Sequence, residues 1–382
     1  MTNRFTQILV PGILLPMSLG TVYNFSQYSA NIQQLFEISK FQGDIGFMLI
    51  IFFLGMGAAA FGRMVELNPK RMAIVSTVLF SIGMTLMFLA TNFVILPLYY
   101  LACAFMGTGT GIGYTSPIKQ LLSNFEDHKG LASGLAITGF GLGKFVFAPV
   151  IEYLLANFSL PYMFLILSGI FLAIMSLCSW LYKPNPIFIS TVHTAIPYKY
   201  LIKDVFLTKK YLSVWLMFCI NISCGLALIS QEKSLLLNLG FKEIAVLMSA
   251  TAVFNILGRF GMSTASDKIG RKAAYHWVCS LGIIAAFLCF TQNPILALIG
   301  IMLCEFAYGG NFSVLPSLLS KYFGQSAVST IHAMTLSGWG LAGIFSVILA
   351  NIFTGTTLYL VLMALYFIGF FGMTLCLKSV EK

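Results

Sequence analysis

Apolar stretches long enough to cross a membrane recur from the first decade of this chain to the last, and nothing else in the sequence constrains the fold as tightly. A helix needs ~20 mostly apolar residues to traverse a ~30 Å hydrocarbon core. Only helices or closed barrels satisfy every backbone polar group in lipid. Barrel strands alternate in character, whereas these runs are continuous, so the expectation is an all-α membrane protein. Composition agrees: 58% of the 382 residues are hydrophobic and 9% charged, against roughly 25% charged in soluble chains. A soluble core could not hide that much apolar surface. Twelve spans are expected, at 7–30, 42–61, 72–90, 94–118, 130–154, 161–182, 211–231, 243–265, 273–290, 294–319, 328–351 and 356–377.

The net charge of +10 would suggest nucleic acid as a partner for a soluble protein. Here the cations report topology, and no nucleic acid is expected. With the N-terminus placed in the cytoplasm, only Lys40, Lys233 and Lys242 of the 22 basic residues fall in outer loops. Lys144 and Arg259 lie within spans, and the remainder fall in inner loops. That alternation with loop parity predicts an even helix count, both termini in the cytoplasm and a multi-pass protein of the cell inner (plasma) membrane. The first helix is read as an uncleaved signal, since no small-residue cleavage site precedes a mature domain. All eight cysteines fall in or at the ends of apolar runs with no CxxC pair, so they read as buried thiols rather than disulfides or metal ligands.

The longest loop, 183–210, holds Pro184, Pro186, Pro197 and five lysines. It divides the chain into an N-terminal bundle (1–182), a cytoplasmic linker and a C-terminal bundle (211–382). An internal repeat supports the division. Gly139-Phe-Gly-Leu returns as Gly338-Trp-Gly-Leu and Pro117 as Pro316, both 199 residues on; Glu66 is answered by Asp267, 201 residues on.

The loop after the eighth span reads Gly-Arg-Phe-Gly-Met-Ser-Thr-Ala-Ser-Asp-Lys-Ile-Gly-Arg-Lys (258–272). An acid in such a tight basic turn can cap a neighbouring helix N-terminus, where the dipole favours negative charge. Gly-Arg-Met-Val-Glu-Leu-Asn-Pro-Lys-Arg (62–71), after the second span, is a weaker copy. With Asp267, Gly270 and Arg271 in one loop and Glu66 and Arg71 in the other, the chain resembles the major facilitator superfamily. Its first loop departs from the family pattern in Glu66 for Asp and Pro69 for Gly. The resemblance implies twelve transmembrane helices in two pseudo-symmetric six-helix bundles, secondary transport of a small molecule by alternating access, no cofactor, no enzymatic activity and a monomer. Gly107-Thr-Gly-Thr-Gly-Ile-Gly-Tyr-Thr-Ser-Pro-Ile-Lys119, Gly130-Leu-Ala-Ser-Gly134 and Gly139-Phe-Gly-Leu-Gly143 look like the branch containing oxalate/formate antiporters and monocarboxylate transporters. That similarity implies small organic anions. The Gly107–Gly113 stretch also mimics a dinucleotide fingerprint, but such a motif needs a strand before it and lies here inside an apolar helix. Gly107/Gly111, Gly109/Gly113 and Gly130/Gly134 are each four apart, so each pair invites close helix contact on one face.

Three ionisable residues fall well inside spans: Lys144, Arg259 and Glu305. At ~1.5 Å per residue each lies near mid-membrane, where a charge costs at least about 2.5–3.5 kcal/mol without a partner or wet cavity. One reading is a permanent Arg259–Glu305 bridge. The other follows the family fold, in which spans 5, 8 and 10 border a central cavity and 3, 6, 9 and 12 face outward. Lys144 and Arg259 then clamp an organic anion from opposite halves, arginine as a planar fork and lysine as a point charge. Arg259 matches an arginine typical of the anion branch. The branch's usual lysine on span 11 is missing, and Lys144 is the repeat equivalent of Gly343 there. Glu305, taken as the only interior carboxylate, is the expected proton carrier, because a substrate competing for Arg259 would change its proton affinity. Tyr23, Gln27, Tyr114, Tyr308, Asn311 and Trp339 are expected substrate contacts, with Asn24, Tyr28 and Asn221 as further polar candidates near the cavity. His332 is read as a surface histidine at the outer end of span 11. Glu232-Lys233 and Lys242-Glu243 are read as solvated outer-loop pairs. The function expected is proton-coupled symport or exchange of a small carboxylate. A larger or zwitterionic solute such as an amino acid or carboxylate siderophore, or a non-transporting membrane sensor, are the alternatives.

Overall fold

The computed structural model describes residues 2–124, 129–182, 201–323 and 328–378, and these are helical apart from short connections. The helices are α1 (Thr2–Gly20), α2 (Phe25–Phe36), α3 (Lys40–Leu67), α4 (Pro69–Phe93), α5 (Leu96–Asn124), α6 (Lys129–Asn157), α7 (Leu160–Leu181), α8 (Lys209–Ile229), α9 (Glu232–Asn238), α10 (Ile244–Ile269), α11 (Arg271–Phe290), α12 (Pro294–Phe323), α13 (Val328–Thr335), α14 (Ser337–Ile352) and α15 (Thr356–Lys378). Most of the proline-containing connection, 183–200, lies outside the described residues.

Ten helical stretches among the described residues are long and apolar enough to cross a membrane. They match ten of the twelve expected spans. Of the other two, 94–118 is α5, whose Gly-Thr-rich middle lowers its apolar character, and 356–377 is α15, with a shorter apolar stretch over Thr356–Gly372. Two expected single helices are broken. A 3-10 turn, Thr21–Asn24, separates α1 from α2. Gly20 at the break lets α1 touch α6, for a Cβ there would lie 1.9 Å from the Phe140 carbonyl oxygen. Leu336 separates α13 from α14, where Thr335 bonds back to the Ile331 carbonyl and Ser337 to that of Met334. Such local bonds compete with the helical ladder.

Within the first part of the chain, α3 packs on α5, α5 on α4, α4 on α7, and α1 on both α6 and α7. The second part repeats the scheme: α10 on α12, α12 on α11, α11 on α15, and α8 on both α14 and α15. The repeated glycines hold matching places. Gly139 of α6 abuts Ile13 and Pro16 of α1, as Gly338 of α14 abuts Trp215 and Phe218 of α8. Gly107 and Gly111 face α3 at Ile50 and Leu54, while Gly109 and Gly113 face α4 at Phe80 and Ser76. The principal contacts between the two parts are α3 with α13 and α14, and α6 with α10. Large exposed apolar side chains line α4 (Ile74, Val78, Ile82), α7 (Leu165, Leu172, Trp180), α11 (Trp277, Ile284, Phe287) and α15 (Leu360, Phe367, Phe371). These are spans 3, 6, 9 and 12 of the expected set, and exposed apolar side chains also lie on α8 (Leu212, Leu216), α10 (Val246, Leu257) and α14 (Phe345).

Candidate functional site

The buried centre is built where α6 meets α10 and α12. Gly258 on α10 and Gly309 on α12 permit this approach: a Cβ at either would lie 2.0 Å from the Phe306 carbonyl oxygen or 2.2 Å from that of Asn255. Lys144, Glu232, Arg259 and Glu305 converge there, each 1% exposed or less. The Lys144 ammonium forms ion pairs with Glu232 and with Glu305 and donates to the Thr251 hydroxyl at 3.2 Å. Thr251 meets the other Glu232 oxygen at 2.5 Å and the Met248 carbonyl at 2.9 Å. The Asn255 amide donates to the second oxygen of Glu305 at 2.7 Å. Its own oxygen accepts from Arg259 Nε at 2.8 Å, one helical turn away. A continuous polar chain thus runs Glu232–Lys144–Glu305–Asn255–Arg259.

Beyond that chain, Arg259 enters a cluster of packed aromatic rings. Its guanidinium carbon lies 5.1 Å from the Phe312 ring centre, within cation–π range. Among the described residues neither terminal nitrogen has a hydrogen-bond partner in good geometry, with the Tyr114 hydroxyl close by. Phe312 and Trp339 stand 4.5 Å apart, Tyr114 and Trp339 5.3 Å, and Tyr114 and Phe140 5.4 Å, all edge to face. Tyr23 and Tyr308 close one side through a 2.9 Å bond between their hydroxyls. The Tyr114 hydroxyl, the Trp339 indole nitrogen, the Asn24 amide and the Asn311 amide oxygen are buried without a hydrogen-bonding partner. Buried polar groups are nearly always bonded, so these unpartnered groups stand out among the described residues.

Residues 12–347 match the family model described as Major Facilitator Superfamily. The chain belongs to the major facilitator superfamily. Among similar proteins, the uncharacterized MFS-type transporter YhjX of Escherichia coli is 26% identical over 343 residues, 88% of this chain and 85% of its own length. The oxalate:formate antiporter of Oxalobacter formigenes is 23% identical over 382 residues, 96% of this chain and 90% of its own. Human monocarboxylate transporter 12 is 26% identical over 273 residues, 61% of this chain and 52% of its own.

Several expectations for this superfamily member need correction. Arg259 and Glu305 are not paired to each other; Asn255 stands between them. Lys144 is not a second free cation beside Arg259, because all three of its N–H groups are engaged. Glu232 is no solvated loop acid and is buried against Lys144, while Lys233 donates to the Gln27 carbonyl at 2.7 Å. Lys242 and Glu243 are exposed as expected. Glu305 is therefore not the only interior carboxylate, and Asp44 is a third, 2% exposed, accepting from Gln231 and Asn351 at 3.0 Å each. His332 lies not at the outer end of its span but at the same end as Gly62, which faces its neighbour Ala333. That end also carries the basic loops.

The other named residues divide. Gln27 is fixed by donating to the Ala148 carbonyl at 3.0 Å, leaving its own oxygen unbonded. Tyr28 packs edge-on against Phe164, 5.3 Å between centres. Asn221 bonds Met217 and Tyr275 inside the second part of the chain. Asp267 is exposed, and α11 begins at Gly270 without a side-chain cap, so the capping role expected of an acid is not seen there. Gly270 (φ +86°, ψ 147°) makes the sharp α10–α11 turn in a region essentially confined to glycine; Arg271 follows, half-buried. In the weaker copy Asn68 caps α4 by accepting from the Arg71 backbone at 3.0 Å, with Pro69 first in the helix; Arg71 is exposed, and the Glu66 side chain lies outside the described set. Sequence reasoning missed Asn255, Phe140, Phe312, Thr251, Glu232 and Asp44. Asn255 had a signal, being four residues before Arg259 on one helix face.

Proposed function

We propose that the chain is a secondary transporter of small carboxylates, with twelve transmembrane helices in two six-helix bundles (1–182 and 211–382) that rock about the Arg259 cluster. The observation that carries this reading is a fully buried guanidinium whose two terminal nitrogens, among the described residues, have no partner in good geometry. A carboxylate fits that planar fork with two parallel hydrogen bonds. Tyr114 and Trp339 supply further donors, and the aromatic walls exclude water, which strengthens each contact. Rings this close together favour a small acid. An amino acid is less suited, since both carboxylates near the cluster, Glu232 and Glu305, are already held by Lys144. The names of the relatives agree with an organic-anion substrate.

Charge balance supports coupling to protons. Lys144 and Arg259 offset Glu232 and Glu305, so the described centre is neutral when all four are ionised. An entering monocarboxylate adds one negative charge at mid-membrane, and one proton removes it. Among the described residues, and with both termini cytoplasmic, the hydrogen bonds that join the bundles on the outer side are those of Gln231 and Asn351 to Asp44, of Lys233 to Gln27, and of Ser249 to the Phe145 carbonyl at 3.0 Å. These bonds hold the outer side shut. The test is uptake by proteoliposomes of radiolabelled formate, lactate, oxalate and succinate under an imposed proton gradient. Saturable uptake of one of these, lost in Arg259→Ala and only weakly restored in Arg259→Lys, is expected. Equal uptake by Arg259→Ala and wild type would remove the anion-fork reading.

A further inference from the structure

Two carboxylates share one ammonium at the centre, and the hydrogen-bond inventory distinguishes them. Glu305 meets Lys144 at one oxygen and the Asn255 amide at the other. The amide cannot turn over, because its oxygen accepts from Arg259 Nε, a group that only donates. Both Glu305 oxygens therefore face groups that must donate, and a proton on either would meet another proton. Glu232 also accepts from Lys144 at one oxygen, but its other oxygen faces the Thr251 hydroxyl, which can donate or accept. Thr251 has a second acceptor at hand in the Met248 carbonyl, 2.9 Å away. When Glu232 takes a proton, the hydroxyl hydrogen turns to Met248 and the hydroxyl oxygen accepts from Glu232. No heavy atom has to move.

We propose that Glu232, rather than Glu305, is the residue that binds and releases the transported proton, and that Thr251 is the hydroxyl switch accommodating it. This rests on the proton-coupled reading above. The proton comes from water on the outer side when the bundles part there, and converts the Glu232 carboxylate to the acid. Lys144 then neutralises Glu305 alone, and the net positive charge left at the centre draws an anion to Arg259. Charged groups around Glu232 are Lys144 of α6, Glu305 of α12 and Lys233 of its own helix. Farther out lie Asp44 of α3, tied to the adjacent Gln231, and Glu152 of α6, which acts on Lys233. Among the described residues, α10 brings it only the neutral Thr251 and α2 no charged contact.

Glu232→Gln and Glu305→Gln separate the two assignments. A glutamine at 232 reproduces the protonated arrangement, its amide donating to Thr251 and its oxygen accepting from Lys144. At 305 it sets an N–H₂ against Lys144 or against Asn255. Infrared difference spectra of the purified full-length protein over an acid titration are expected to show, beside the bands that Asp44 and the exposed acids give in every variant, a protonated-carboxyl component that E232Q lacks and E305Q keeps. E232Q is expected to hold the wild-type melting temperature while E305Q loses it. In proteoliposomes with lactate as probe, E232Q is expected to lose the about tenfold accumulation that a one-unit pH gradient can sustain. Carboxyl bands identical in E232Q and wild type, or a fall in E232Q melting temperature matching that of E305Q, would each overturn the assignment. Wild-type protein that carries no lactate or other carboxylate counts against the substrate reading alone, since the spectra and melting curves involve no substrate.

Discussion

Lys144 has three N–H groups and uses all of them on residues of the second part of the chain, Glu232, Thr251 and Glu305. Removing a lone surface lysine changes little; removing this one strands two buried carboxylates side by side. Breaking one partner of a buried ion pair costs about 3–5 kcal/mol, most of it the penalty on the charge left behind. Lys144→Met is therefore expected to lower the melting temperature sharply in detergent. Lys144→Met with Glu232→Gln is expected to recover part of the loss, because one stranded charge has gone. Equal melting of the single and double variants would show that the two residues are not coupled. Residues 144, 259 and 305 were legible as interior charges because each interrupts an apolar run. Their pairing was not. It joins positions 88 and 161 residues apart, and two cations on different helices look equally free in a sequence. Glu232 was missed for a related reason: it sits just past an apolar run, where a sequence reads as a solvated loop, and only the turn into α9 carries it back into the core.

At the level of elements, small residues decide which helices can meet. Gly258 and Gly309 bring α10 against α12 closely enough for Asn255 to reach Glu305, and a methyl group at position 258 would meet backbone rather than a movable side chain. Gly258→Ala is expected to push the two helices apart, to cost about 1–3 kcal/mol in melting experiments, and to weaken transport by loosening the Arg259 support. Gly169→Ala on α7 is the matched control. A Cβ there meets nothing within 4 Å, and alanine gains roughly 1 kcal/mol of helix propensity over glycine. The glycine spacing on α5 announced two contact faces from sequence alone, and the structure fills them with α3 and α4. The breaks at Gly20 and Leu336 were not announced, because each stretch remains apolar straight through and hydropathy does not register a change in backbone path.

For the whole molecule, the question is what holds one side shut against the other. Asp44 accepts from Gln231 and from Asn351, bonds that tie α3 to the end of α8 and to the end of α14. Hydrogen bonds to a charged group contribute about 1.5–3 kcal/mol each, and a difference of 1–3 kcal/mol between two states changes their ratio roughly 5–150-fold. Asp44→Ala removes both bonds at once from the closed state. If that state opens by parting the bundles on this side, the lost bonds are ones the open state never had, and the equilibrium moves toward opening. Spin labels at Lys40→Cys and Lys242→Cys lie on exposed positions of the two parts, and the seven native cysteines among the described residues are buried away from the labelling reagent. Pulsed electron–electron distance measurements are expected to show a longer component that grows from wild type to Asp44→Ala. An unchanged distribution, with Asp44→Ala folded and active, would mean that the remaining bonds, Lys233 to Gln27, Ser249 to Phe145 and the Lys144 ion pairs, keep this side closed. The weight of gating would then fall on Lys144 and Lys233, beside the same residues that carry the charge balance, and a proton on Glu232 would weaken one of those ties once the side has opened.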